Sequence, residues 1–310
     1  MYSLLKIAFK KIELGKFYEN SLNFTILYTE YTTLTSFKVL IMLSFNMKKI
    51  IFTDLDGTFL NHDDYSFSDS LDALTLISKK EIPLIFTTSK TKAEVELLQK
   101  EVGINEPFIV ENGAAIFFPK GYKNFDLSFL DKKGNYFVYQ LGLSYQQILN
   151  FYNKYKEEFG MFGFSDMSEK QIISYTSLEP KKANLSKNRD FTEPFILNDK
   201  SKLKNLKALA LTYNIKITEG GRFYHLIGEF QDKGLAVKKA KKLFNQLYND
   251  NIISLGLGDG PNDIQMLKNV EVPIIIKNHK DEYIKTGIKT VQKSTFKGSK
   301  GWNEMVIKNV

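Results

Sequence analysis

Cysteine is missing from all 310 residues, which excludes disulfide frameworks, thiolate metal sites and cysteine nucleophiles together. Any catalysis has to run on oxygen, nitrogen or metal chemistry. Arginine is nearly as scarce: the chain has Arg189 and Arg222, and every other cationic side chain of the Lys+Arg set is lysine. The formal net charge of +8 therefore comes without the guanidinium forks that nucleic-acid binders use, and a solvated lysine-rich surface accounts for it. Long apolar runs are missing as well. The run Val39 to Phe45 is far shorter than the roughly 20 residues of a membrane span. No n-region, h-region and cleavage site occur in order, so we expect neither a membrane segment nor a signal peptide, and a cytoplasmic home. Residues 1–46 read as an extension without a role, with Met47 fitting as the working initiator. At 43% hydrophobic and 25% charged, the chain has apolar mass for one large or two modest domains.

From Lys48 the pattern is regular. KKIIFTDLDGT is an apolar strand entering a carboxylate-rich turn, and Ser68 to Lys80 sets Leu71, Leu74 and Ile77 at helical spacing. IPLIFTTS predicts a second buried strand, followed by a helix with a Thr91/Glu94 capping box and a stop at Gly103. PFIVENGAAIFF is a third strand region. Later come a helix from about Lys233, the strand IISLGLGDG, a short helix after Pro261 and the strand VPIIIKN. Alternating strands and helices predict an α/β fold: a Rossmann-like parallel sheet with helices on both faces and ligands at the carboxyl ends of its strands. The middle differs. A helix over Ser144 to Gly160 with a Ser144/Gln147 cap, helical stretches at Glu169 to Tyr175 and Asp199 to Tyr213, and a hairpin turning at Gly220 and Gly221 predict an inserted α+β unit over 126–229. The core then comprises 47–125 and 230–310.

Three strand ends carry chemistry. In DLDGT, extended geometry aims the Asp54 and Asp56 carboxylates to one side, roughly 6 to 7 Å apart. Gly57 permits a tight turn and Thr58 adds a hydroxyl, which suits a hard metal and a phosphate, although a solvated acidic turn also fits. In GLGDGPND, Asp259 ends a strand and Asp263 sits one turn further on; two such clusters can share one Mg²⁺. FTTSK offers Thr88, Ser89 and Lys90, as phosphate hydroxyls before a helix or as ordinary caps.

In order, DLDGT, TTSK, DKG and GDGPND resemble the four motifs of the haloacid dehalogenase superfamily of aspartate-nucleophile phosphatases, and the insertion resembles its type IIB cap. With LGLSY, RDFTEPF, GGRFYHL and GWNEMV, the stretch from Met47 onward is similar to the mannosyl-3-phosphoglycerate phosphatase family. The resemblance implies Asp54 as nucleophile and Asp56 as acid and base. It also implies Mg²⁺ on the Asp54 carboxylate, the Asp56 carbonyl and Asp259, with Asp263 direct or through water, and phosphate held by Thr88, Ser89, Lys233 and Asn262. The implied activity is hydrolysis of mannosyl-3-phosphoglycerate. A glucosyl compound, sucrose phosphate or a catalytically silent phosphosugar-binding role stand as alternatives, and the oligomeric state stays open.

A charge count tests this assignment. Four carboxylates against Mg²⁺ and Lys233 leave about −1, while the substrate brings about three more negative charges. Its carboxylate then needs further cations, for which Arg189 and Arg222 are candidates. Lys90, Asn112, Gly113 and Glu193 are further substrate candidates, with a plain Asn-Gly turn equally compatible for the middle pair. His225 reads as a satisfied structural histidine, and the aromatic stretch Phe159 to Phe164 as cap core.

Overall fold

The computed structural model describes residues 48–219 and 222–310; the extension 1–46, Met47 and the expected turn at Gly220 and Gly221 lie outside the described residues. The chain opens on β1 (Lys49–Thr53), where strand alternation sends Ile51 into one apolar cluster and Ile50 and Phe52 into another. A strand apolar on both faces needs cover on both. One face is closed by α1 (Leu71–Lys79) and, after β2 (Leu84–Thr87), by α2 (Lys92–Val102), which bury Ile77, Val95 and Leu98. The Thr91/Glu94 capping box and the left-handed Gly103 stop are both present on α2.

The third strand region is two strands, β3 (Phe108–Val110) and β4 (Ala115–Pro119), paired antiparallel. They separate because Glu111, Asn112 and Gly113 take φ of 47°, 60° and 89°, a reversal that extended chain cannot make. A further hairpin, β5 (Asp131–Lys133) and β6 (Tyr136–Gln140), pairs onto β4 through β6. Residues 131–140 thus extend the core sheet, and the boundary expected at 126 cuts ahead of core strands.

The cap follows. Helix α3 (Tyr145–Phe159) leads through β7 (Met161–Gly163), α4 (Glu169–Thr176), α5 (Pro180–Ser186), β8 (Glu193–Leu197), α6 (Leu203–Leu211) and β9 (Ile215–Glu219) to β10 (Tyr224–Gly228). Its four strands form an antiparallel sheet in the order β7-β8-β10-β9. Ile148, Phe151, Leu206 and Ala210 of α3 and α6 pack with Phe195, Tyr224 and Leu226 on one face of that sheet. Phe159 and Met161 belong to this core, and Phe164 to a second small cluster within the cap.

The chain returns through α7 (Lys233–Tyr248), β11 (Ile253–Gly258), the short α8 (Ile264–Leu267), β12 (Val272–Lys277), β13 (Gln292–Lys297) and α9 (Gly298–Asn309). The complete core sheet runs β13-β12-β11-β1-β2-β3-β4-β6-β5, parallel from β13 to β3. Ala236, Val237, Ala240 and Phe244 of α7 cover one face, and Trp302, Met305 and Val306 of α9 the other. The fold is an α/β core with an inserted α+β cap. No described helix is long and apolar enough to cross a membrane.

Candidate active site

The carboxyl ends of the central strands β1 and β11 meet side by side, with Thr53 opposite Leu257 in the parallel register. The next residues outward are Asp54 and, past Gly258, Asp259. Carboxylate oxygens of Asp54, Asp259 and Asp263 lie within 4.8 Å of one another. Lys233, at the first turn of α7 and 1% exposed, donates to Asp54 Oδ1 at 2.5 Å and to Asp263 Oδ1 at 2.7 Å. Asp263 Oδ2 accepts from the Asp259 and Gly260 amides at 3.2 and 3.0 Å, and Asp259 Oδ1 accepts from Thr58 Oγ1 at 2.9 Å. Gly57 is required here: its φ is +81°, and a Cβ would stand 2.6 Å from Asp259 Oδ2.

Two buried carboxylates and the half-buried Asp259 face one ammonium, and the imbalance appears in their proton affinities. Burial and then the Asp263 charge push the Asp54 carboxyl up to about 7 despite Lys233. Burial and the Asp54 charge push Asp259 to about 8. Lys233 is held above its ordinary value because the Asp263 and Asp54 charges outweigh its own burial. A set of close, hard oxygen donors with excess negative charge fits a divalent cation of the Mg²⁺ type.

Asp56 departs from the extended expectation. Leu55 to Leu60 fold into a tight turn, with Thr58 and Leu60 amides both donating to the Leu55 carbonyl, so the Asp56 carboxylate leaves the acidic cluster. It lies 2.9 Å from Lys90 Nζ. Lys90 also sits 5.4 Å from the Tyr65 ring centre, and Tyr65 packs against the small cap cluster of Phe164, Met167, Ile172, Leu178 and Ala183. Thr88 is buried just past β2, its hydroxyl accepting from the Lys90 amide at 3.1 Å. Ser89 contributes its carbonyl to Arg189. Asn262 is exposed beside Gly260, off the lysine-bridged cluster.

The cap candidates divide. Arg189 Nε donates to Ser186 O at 3.0 Å and Nη1 to Ser89 O at 3.1 Å and Thr192 Oγ1 at 3.2 Å, so one of these bonds ties cap to core and two brace the cap chain. The carboxylate-binding role expected of it is at odds with those commitments. Glu193 is buried with both oxygens engaged, by the Ser165 amide and hydroxyl at 2.8 and 2.6 Å and by Tyr145 Oη at 2.6 Å; a sugar hydroxyl cannot reach it without displacing them. Arg222 is exposed and donates to Tyr175 O at 2.8 Å. Gly113 answers to packing rather than to a ligand: a Cβ there would stand 2.2 Å from the Asp232 carbonyl. Asn112 Oδ1 and His225 Nδ1 are buried without partners, so His225 is not the satisfied histidine expected.

Glu111, Gln231 and Tyr65 went unmarked in the sequence. Glu111 is fully buried and accepts from the Asp190 and Thr192 amides, both at 2.8 Å, and from Thr192 Oγ1 at 2.6 Å, with Arg189 at 3.8 Å. Burial raises its pKa against those partners. Gln231 Nε2 donates to the Glu111 carbonyl at 2.6 Å while its Oε1 accepts from Gly228 at the end of β10. One core residue thus holds the cap segment 190–192 through its side chain and the chain returning from the cap, at Gln231, through its carbonyl. The signal lay in ENG itself, a charged residue wedged between an apolar strand and a reversal.

A parallel sheet with acidic residues at two adjacent strand ends, a bridging lysine and an inserted cap defines a haloacid dehalogenase-like hydrolase. The chain belongs to that family, whose profile matches residues 51–298. It is an enzyme of the phosphoric monoester hydrolase class. Over 257 residues, 83% of this chain and 95% of the relative, it is 51% identical to a glucosyl-3-phosphoglycerate/mannosyl-3-phosphoglycerate phosphatase of Persephonella marina. It is 31% identical over 249 residues, 80% of this chain and 99% of the relative, to a mannosyl-3-phosphoglycerate phosphatase of Pyrococcus furiosus. Among solved structures, a haloacid dehalogenase-like hydrolase from B. subtilis matches with TM-score 0.59 at 15% identity, covering 84% of this chain and 99% of that one.

Proposed function

We propose that the chain hydrolyses mannosyl-3-phosphoglycerate to mannosylglycerate and phosphate in the cytoplasm, using Mg²⁺ and an aspartyl phosphate at Asp54. The observation that carries this is the Asp54–Lys233–Asp263 bridge beside Asp259, within one group of carboxylates. Lys233 occupies Asp54 Oδ1, which holds the carboxylate in one orientation and directs the other oxygen to phosphorus. Attack forms the Asp54–phosphorus bond as the bond to the glycerate oxygen breaks, and Asp56 gives that oxygen its proton. Asp56 then takes a proton from water as water attacks phosphorus, releasing phosphate and restoring the Asp54 carboxylate. Thr88 and Lys233 donate to the phosphoryl oxygens. Asp54, Asp259 and the Asp56 carbonyl would hold Mg²⁺, with Asp263, already engaged at both oxygens, acting through them or through water. Bound there, the ion offsets charge on the transferring phosphoryl group.

Arg222 is the better candidate for the substrate carboxylate, since Arg189 is committed to Ser186, Thr192 and Ser89. A glucosyl-3-phosphoglycerate substrate is the second reading, favoured by the Persephonella relative, whose name carries both sugars. Phosphate release from purified protein with Mg²⁺, over mannosyl- and glucosyl-3-phosphoglycerate, sucrose phosphate and glucose 6-phosphate, tests both. The expected order puts the phosphoglycerates well ahead. Equal rates on glucose 6-phosphate would remove the substrate assignment and leave the phosphatase.

A further inference from the structure

Among the described residues, three buried side-chain polar atoms lack a hydrogen-bond partner: Asp56 Oδ1, Asn112 Oδ1 and His225 Nδ1. Asp56 Oδ1 has the Lys90 ammonium at 2.9 Å. The other two have nothing, an unfavourable state for a folded chain unless a ligand completes it. The β-register decides which way His225 faces. Its neighbours Tyr224 and Leu226 pack under α3 and α6, so His225 points from the opposite face of the cap sheet. That face also carries Phe162, Ile196 and Phe223, which pack on the small cluster of Phe164, Met167 and Ile172 against which Tyr65 of the core, beside Lys90, packs as well. His225 therefore looks into the cleft between cap and core. Asn112 lies on the core side, in the turn that follows β3, its backbone amide bonded to the carbonyl of Thr88 at 2.9 Å.

Chemistry narrows what His225 would bind. Burial, and then the Arg189 charge, push its pKa down to about 3, so the ring is neutral and offers one donor and one acceptor. A neutral ring has little to offer a phosphate or carboxylate but matches a hydroxyl, which both donates and accepts. We propose that His225 is a specificity residue that hydrogen-bonds a hydroxyl of the substrate's leaving group, with Asn112 Oδ1 as a second contact across the cleft. This rests on the phosphatase reading, but not on which sugar is attached.

The test compares His225→Ala and His225→Gln with the parent chain, in Mg²⁺, on mannosyl-3-phosphoglycerate and on p-nitrophenyl phosphate, whose leaving group has no alkyl hydroxyl. The ratio of kcat/KM for the sugar substrate to that for the nitrophenyl ester should fall about 10- to 100-fold in His225→Ala, and His225→Gln should recover part of it. If His225→Ala is insoluble, His225→Gln carries the comparison through a smaller fall in the same ratio. An unchanged ratio in a folded variant would overturn the proposal. Should the parent ignore mannosyl-3-phosphoglycerate, the same ratio is measured on whichever sugar phosphate it does cleave. A selective fall there keeps His225 and discards the substrate assignment; no fall discards His225.

Discussion

The two walls of the cleft are built on opposite principles. The core wall concentrates charge: Asp54, Asp263 and Lys233 are all under 10% exposed and joined through one ammonium, with Asp259 against them. The cap face on the core side carries His225, Phe162, Ile196 and Phe223, with the Arg189 guanidinium spent on hydrogen bonds, while the buried carboxylate of Glu193 is turned into the cap and hydrogen-bonded by Ser165 and Tyr145. Charges taken out of water are costly unless paired, so the core wall has little freedom to vary without losing either stability or chemistry. A neutral imidazole on the cap can exchange one hydroxyl contact for another at small cost. The difference teaches where reaction and selection are separately encoded: at strand ends of a rigid parallel sheet, and on a sheet hung from two linkers.

Breaking the core wall should have the largest effect. Asp54→Asn should lower kcat by roughly 10³-fold or more with the fold retained, read by phosphate release and circular dichroism, since the amide is a poor nucleophile. Lys233→Met strands two buried carboxylates and should lower stability by about 3–5 kcal/mol in chemical denaturation. A stability equal to the parent's would show that the bridge is not what holds those acids. The joint between the walls comes next. Glu111→Ala leaves the 190–192 backbone amides without an acceptor and should cost about 1–3 kcal/mol, with faster proteolysis near that cap segment than elsewhere.

Removing the divalent ion sharpens the same contrast through pH. In the metal-free protein, Asp54 and Asp259 have folded pKa values near 7 and 8, above the ordinary 3.8, so the folded state binds more protons than the unfolded state across that window. Stability should therefore fall as pH rises from about 4 to 8. Because the ion binds the deprotonated acids, added Mg²⁺ should raise Tm more at pH 8 than at pH 6. Equal shifts at both would contradict the acidic cluster as its site. Arg222→Ala should have the smallest structural effect, an unmoved Tm with KM raised several-fold for phosphoglycerates but not for p-nitrophenyl phosphate.

Much of this was legible in the sequence because local patterns carry it. The apolar run of β1, the capping boxes at Thr91 and Ser144 and the Gly103 stop each follow from residues within a few positions of each other, and all are present. DLDGT and GDGPND marked the acidic strand ends for the same reason. What escaped depended on long-range pairing. The β5–β6 hairpin, with Asp131, Lys132 and Lys133 exposed, has too little apolar alternation to declare which sheet it joins. Arg189 and Glu193 looked like ligand groups because charged residues inside an apolar string suggest a site. Their partners, Ser89 and Glu111 for one and Ser165 and Tyr145 for the other, sit 28 to 100 residues away and gave no local sign. His225 erred the other way, since a lone histidine between aromatics looks satisfied until register shows which face it occupies.

The claim that the rest depends on is a covalent bond between Asp54 and phosphorus. Borohydride added during turnover reduces an aspartyl phosphate to homoserine, and peptide mass spectrometry locates the change. We predict homoserine at residue 54, requiring both substrate and Mg²⁺; an intact Asp54 in protein inactivated by the reductant, or homoserine at another aspartate, would contradict it.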